Sequence, residues 1–285
     1  MAQTPAYTTD TAISKDGTKI GYRIFGSQGP AVILAHGGMK SSQDFNKLAQ
    51  ILSDEFTIYV PDRRGRGLSD PVAEPYSVDR EAEDIQAIIT KTGAQSLFGL
   101  SAGALVMLRT ARLTPSIKHL GLYEPPFSIH GSTPTAWVPR YEDYVARGKL
   151  ASALTTGMQG LGVLPIMQKI PRAILVPAFG LVMLLQGKGT PEDVAIRSLV
   201  YTWHFDMKLI AEMADRLDDY KDVQAQTLLM GGSTSPAWLR VSLDGLEKTL
   251  PHVQRLTIPG QGHSGAEDDG DPATVAVHLR KLFKS

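Results

Sequence analysis

Hydrophobic positions in the first part of the chain form short continuous runs, separated by stretches with helical periodicity. Residues 31–35, Ala-Val-Ile-Leu-Ala, are apolar throughout, as in a strand that is covered on both faces of a sheet. Two antiparallel strands at residues 9–14 and 19–25 precede this run, with a turn at Asp16-Gly17. Further strands are predicted at residues 56–60, 96–100 and 117–123, and helices at residues 44–52, 77–91 and 102–113.

Residues 127–215 have a different pattern, because they contain no strand-like run of this kind. Short helices are predicted there, broken by prolines at positions 139, 165, 171, 177 and 191. The alternation returns with strands at residues 227–230 and 253–258 and helices at residues 238–250 and 271–283. Alternating strands and helices predict an α/β fold with a mostly parallel central sheet covered by helices. We therefore expect a core of residues 1–126 and 216–285, with an inserted helical cap at residues 127–215.

Composition and charge exclude several classes of protein. Lys and Arg total 29 and Asp and Glu total 29, so the net charge of zero argues against nucleic-acid binding and against a polybasic membrane dock. The chain has no cysteine, which excludes disulfides, thiolate metal sites and a cysteine nucleophile. Its longest apolar run, residues 174–185, is shorter than the roughly 20 residues of a membrane span. The amino terminus lacks an apolar signal core, so we expect a cytoplasmic protein. We also expect a monomer or homodimer whose partner is a small-molecule substrate.

A candidate nucleophile lies where a predicted strand ends and a helix begins. Residues 99–103, Gly-Leu-Ser-Ala-Gly, fit the G-x-S-x-G pattern, in which a sharp turn projects the serine hydroxyl above a sheet. The amide of Ala102 and the positive end of the helix would then face an oxyanion formed by attack of Ser101. The alternative is an ordinary glycine-rich turn with a serine helix cap.

Two more segments reach the same edge of the predicted sheet. His36-Gly37-Gly38 follows the apolar run, and the amide of Gly38 is a candidate second oxyanion donor. His263 lies in a glycine-rich loop after the last strand, where the carboxyl ends of parallel strands form sites. A neutral histidine there can take the proton of Ser101 and return it to the leaving group. We expect His36 to support its loop and not to transfer protons.

Together, these segments resemble the α/β-hydrolase fold family over essentially the full chain. The order of serine first and histidine last is also that of the family. The resemblance implies the fold and a hydrolytic site, but not a substrate, because one fold supports many reactions. It includes residues 62–69, Asp-Arg-Arg-Gly-Arg-Gly-Leu-Ser, which we expect to be structural. The serine at the elbow makes halide displacement and epoxide opening unlikely, since relatives with those activities use aspartate there.

The family's sites combine the serine and the histidine with an acid, and the position of this acid in the sequence departs from the family pattern. The family usually has an aspartate after the strand at residues 227–230, but residues 231–236 read Gly-Gly-Ser-Thr-Ser-Pro. Some relatives, including several haloalkane dehalogenases and certain lipases, place the acid one strand earlier, where this chain has Glu124. We therefore predict that Glu124 orients His263 and stabilises its imidazolium. A structural ion pair of Glu124, a dyad without an acid, and an acid from the cap such as Asp206 are the alternatives.

These motifs predict a serine hydrolase that cleaves an ester, lactone or related carbonyl bond of a small, mainly hydrophobic molecule. No metal motif or phosphate-binding loop is present, so we expect no metal and no cofactor. The alternatives are a carbon–carbon hydrolase, lyase, cofactor-free haloperoxidase-like enzyme or cyclase on the same fold, and a non-catalytic ligand-binding protein. Candidate residues for the substrate pocket wall are Met39, Trp137, Phe179 and Trp203.

Overall fold

The central sheet is mostly parallel, as the sequence predicts. The computed structural model describes residues 7–285, and in this range eight strands form one sheet. The strands are β1 (Thr8–Ile13), β2 (Lys19–Phe25), β3 (Ala31–Ala35), β4 (Thr57–Pro61), β5 (Ser96–Leu100), β6 (His119–Tyr123), β7 (Gln226–Gly232) and β8 (Val253–Ile258). Their order in the sheet is β1-β2-β4-β3-β5-β6-β7-β8. β1 pairs antiparallel with β2, β2 pairs antiparallel with β4, and all other neighbours pair parallel.

Helices cover both faces of this sheet and leave a hydrophobic core on each. Alternate residues of β5 point to opposite faces, so Leu97 packs into one core and Phe98 into the other, and every residue of the strand is buried. The helices are α1 (Asn46–Leu52), α2 (Val78–Thr92), α3 (Ala102–Leu113), α4 (Val138–Ala146), α5 (Leu150–Leu161), α6 (Pro165–Lys169), α7 (Arg172–Gln186), α8 (Ile196–Val200), α9 (Trp203–Met213), α10 (Ala237–Thr249) and α11 (Pro272–Phe283). Short 3₁₀ helices span Ser42–Phe45 and Leu217–Tyr220.

The segment between β6 and β7 is helical, as predicted, and contains α4 to α9. The prediction that Pro177 breaks a helix is wrong, since this residue lies inside α7. Proline removes one backbone hydrogen bond from the helix, but α7 continues because Leu175 and Met183, on either side of it, are buried. The division into a core and a cap at residues 127–215 stays a prediction. In residues 7–285, no helix combines the length and the apolar character needed to cross a membrane.

Candidate active site

Ser101 lies on a strained turn between β5 and α3. Its φ of 53° and ψ of −125° fall in a region that residues with side chains rarely adopt. The turn closes because Gly99 and Gly103 lack side chains: a Cβ at Gly99 would collide with the backbone of Ala104, and one at Gly103 with the carbonyl of His36. The Ser101 amide donates to the Tyr123 carbonyl oxygen at 2.9 Å, which fixes the turn against β6.

His263 and Glu124 form a hydrogen-bonded pair at the carboxyl end of the sheet. The Nδ1 atom of His263 lies 2.7 Å from Oε2 of Glu124, and the Glu124 side chain is only 1% exposed. A carboxylate only accepts hydrogen bonds, so Nδ1 carries the proton and Nε2 of the neutral ring is left as the acceptor. The amide of Gly232 donates to the other carboxylate oxygen of Glu124 at 2.7 Å.

The glycines at the end of β7 make room for this carboxylate. A Cβ at Gly231 would lie 3.2 Å from Oε1 of Glu124, and one at Gly232 would collide with the carbonyl of Gln261 in the His263 loop. The Glu124 side chain, which follows β6, therefore lies beside the glycines at the end of β7, next to the segment that lacks an acid of its own. The structure brings Glu124 to His263.

Ser101 and His263 both line one cavity of about 330 Å³. Among the hydrogen bonds of residues 7–285, none joins the Ser101 hydroxyl to His263. Gly38 also lines the cavity, and a Cβ at Gly37 would lie 3.2 Å from Cβ of Ser101, so this glycine loop lies beside the serine. Ala102 is buried and is the first residue of α3, where backbone amides have no partner within the helix.

His36 is fully buried beneath the glycine loop. Its Nδ1 donates to the carbonyl oxygen of Gly37 at 2.9 Å, and its Nε2 accepts from the amide of Arg63 at 3.2 Å. Burial holds the pKa of His36 well below its usual value, and the nearby arginine charges lower it further. Both ring nitrogens are occupied and the ring stays neutral, as expected for a residue that supports the loop.

Asp206, the alternative acid, is held in a buried ion cluster with two arginines. Its carboxylate accepts from Arg63 at 2.8 Å and from Arg66 at 2.9 Å, and all three side chains are at most 2% exposed. A Cβ at Gly38 would lie 2.9 Å from Oδ2 of Asp206, so the glycine loop rests directly on this cluster. The arginines after β4 thus tie α9 to the loop beside Ser101.

We expect Asp206→Asn to lower the free energy of unfolding by about 3 kcal/mol, because it leaves two buried guanidinium groups without their shared carboxylate. Asp219→Asn is the matched control, since Asp219 pairs with Arg216 at the surface, and it should cost less than about 1 kcal/mol. Urea unfolding curves measure both values. Equal, small effects would show that the buried cluster does not hold α9 in place.

The wall of the cavity is largely apolar. Met39, Phe179 and Trp203 line it, together with residues of α5 such as Leu154 and Met158. That these residues contact a substrate stays a prediction. Trp137 is not among the lining residues. Its ring centroid lies 5.0 Å from that of Trp203, on which it packs, and its indole N–H donates to the carbonyl oxygen of Pro134.

Charged side chains from the core loops form another part of the wall. Lys40 lies 2.9 Å from Glu267 and 3.2 Å from Asp44, and Asp269 lines the cavity as well. Burial opposes the charged form of Lys40, but these carboxylates outweigh it and raise its pKa, so the lysine is charged. No group of three His, Asp or Glu side chains in residues 7–285 is arranged to hold a metal ion.

The sequence and structure are similar to those of known hydrolases. Residues 32–277 match the model of the alpha/beta hydrolase family. N-formylmaleamate deformylase of Pseudomonas putida is 33% identical over 153 residues, which are 52% of this chain and 55% of that protein. The 2-(acetamidomethylene)succinate hydrolase of Mesorhizobium japonicum is 25% identical over 82% of each chain. An alpha/beta hydrolase structure from Sphaerobacter thermophilus is 30% identical with a TM-score of 0.77, and the match covers 96% of this chain and all of that one.

Proposed function

Because the chain belongs to the α/β-hydrolase family, we propose that it is a serine hydrolase that cleaves an ester, lactone or related carbonyl bond through an acyl-enzyme. The observation that carries this proposal is the 2.7 Å pair of His263 with the buried Glu124, because His263 lines the same cavity as the strained Ser101. Such a constellation activates a serine whose hydroxyl is otherwise a weak nucleophile.

In the proposed reaction, the Ser101 oxygen attacks the substrate carbonyl carbon while Nε2 of His263 takes the hydroxyl proton. Glu124 stabilises the imidazolium, and the amides of Gly38 and Ala102 donate to the oxyanion. The tetrahedral intermediate collapses and expels the leaving group, which receives the proton from His263. Water then attacks the acyl-enzyme by the same route, releasing the acid and restoring the serine.

The cavity wall favours a neutral, mainly hydrophobic substrate. Its apolar residues suit an aliphatic or aromatic group. Among residues 7–285, Lys40 is the one Lys or Arg on this wall, and it is already paired with Glu267 and Asp44, so an anionic substrate has to compete with both carboxylates. The names of the two curated relatives refer to a maleamate and a succinate, so an acidic substrate belongs in the test.

A panel of p-nitrophenyl esters tests this substrate class. We expect kcat/KM to rise at least about tenfold from acetate to hexanoate, since each buried methylene contributes about 0.8 kcal/mol. The glutarate monoester is the matched anionic control for hexanoate and should react more slowly. A preference for acetate over medium chains and bulky lactones, or for the glutarate ester over hexanoate, would contradict the proposal.

A further inference from the structure

The outward face of α7 is apolar, although it faces solvent. Leu175 and Met183 hold the inner side of the helix on the body of the protein, while the outer side exposes large side chains. Leu184 and Leu185 are 75% and 77% exposed. A surface helix that is apolar on both sides indicates that its outer side contacts another protein or a membrane. We call this surface the α7 face; it comprises Ile174, Leu181, Val182, Leu184 and Leu185.

The segment that carries this face is rich in basic residues. Residues 144–191 contain five Lys or Arg residues and no Asp or Glu, although the whole chain has a net charge of zero. Lys169 and Lys188, on either side of α7, are exposed. Lys149 and Arg197 line a groove that also includes Leu184. Glu192 and Asp193 are exposed and lie between Lys188 and Arg197, so residues 144–197 contain six Lys or Arg residues and two acidic residues. The zero net charge of the whole chain therefore includes a local excess of positive charge around an apolar surface, which we call the basic rim.

We propose that the α7 face docks on the surface of a bilayer that contains anionic lipid. α7 has 15 residues, which is about 22 Å at 1.5 Å per residue and shorter than the roughly 30 Å hydrocarbon core. Its inner side packs against α5, so the helix lies along the membrane surface and does not enter it end-on. The exposed leucines reach the acyl boundary and the rim lysines reach the headgroups.

The positive charge around the α7 face favours an anionic bilayer over a second copy of the chain. A twofold contact through the α7 face brings the same surface of both copies together. The basic rims would then oppose each other with an excess of positive charge, since each has six Lys or Arg residues and only the two carboxylates of Glu192 and Asp193 in residues 144–197. Anionic headgroups supply the missing counter-charge. α7 also contributes Phe179 to the cavity wall. A lipid docked on the outer side of α7 would therefore be separated from the cavity by this helix.

Sedimentation with vesicles of phosphatidylcholine, with or without phosphatidylglycerol, tests this proposal on the full-length protein. We expect the wild type to sediment with the anionic vesicles and to dissociate at high salt. Leu184→Ser combined with Leu185→Ser should weaken binding at least about tenfold. Lys169→Gln combined with Lys188→Gln should weaken it about fivefold per lysine.

Matched controls separate the α7 face from exposed apolar residues in general. Val241→Ser combined with Val277→Ser removes exposed apolar side chains from α10 and α11 and should leave binding unchanged. Hydrolysis of a soluble ester by the leucine variant should also be unchanged, because neither leucine lines the cavity. A wild type that stays in the supernatant overturns the proposal, as does a leucine variant that binds as well as the wild type. Dimers in ultracentrifugation that only the leucine variant disrupts would assign the face to a second copy instead.

Discussion

Replacing Ser101 with alanine is expected to lower kcat on the best ester by about 10⁴-fold or more, because it removes the oxygen that forms the acyl-enzyme in the proposed reaction. The alanine removes only one oxygen, and the turn that holds residue 101 is fixed by backbone contacts with β6 and by the neighbouring glycines. The variant should therefore fold and bind substrate normally. Steady-state kinetics, with thermal unfolding as a check of folding, measures the effect.

Ser264 provides the control for this variant. It is the other serine on the cavity wall and directly follows His263 in sequence. Ser264→Ala should change kcat by no more than severalfold. Near-normal turnover by Ser101→Ala would reject covalent catalysis at residue 101, and a large loss in Ser264→Ala alone would move the nucleophile to that position.

Glu124→Gln is expected to lower kcat by about 10³- to 10⁴-fold with little change in KM. The amide can present a hydrogen-bond donor to Nδ1, which favours the wrong tautomer of His263, and it has no charge to stabilise the imidazolium. Glutamine has nearly the same shape, and its amide oxygen can still accept from the Gly232 amide, so the fold should persist. Steady-state kinetics on the same ester measures both constants.

The surface pair of Glu142 and His204 offers a control with the same chemistry. Oε1 of Glu142 lies 2.8 Å from Nδ1 of His204, a separation close to that of Glu124 and His263, but the pair is exposed. Glu142→Gln should leave kcat within about twofold of wild type. If Glu124→Gln also retains full activity, Glu124 is a structural residue and the site works as a dyad or uses another acid.

The sequence motifs predicted most of the core fold and the approach of three loops to one edge of the sheet. A strand end flanked by glycines has a defined position at the edge of a parallel sheet, so Ser101, Gly38 and His263 can be placed from the sequence. The absence of an acid after β7 favoured Glu124 as the acid that orients His263. The close approach of the Glu124 carboxylate to Gly231 and its hydrogen bond with the Gly232 amide are visible only in three dimensions.

Features that depend on packing between distant segments could not be predicted from the sequence. Nothing in the local pattern separates Trp203, which lines the cavity, from Trp137, which packs behind it. The charged part of the wall was missed because Lys40 and Glu267 come from loops of the core and not from the helical segment. Asp206 is far in sequence from its arginines, so its buried pairing has no local signature.

Rapid-quench mass spectrometry of the intact protein during turnover of p-nitrophenyl hexanoate tests the central claim most directly. A mass increase of one hexanoyl group should appear, map to the peptide that contains Ser101, and disappear as the substrate is consumed. Full turnover without any adduct, or a kinetically competent adduct on a different residue, would contradict the account.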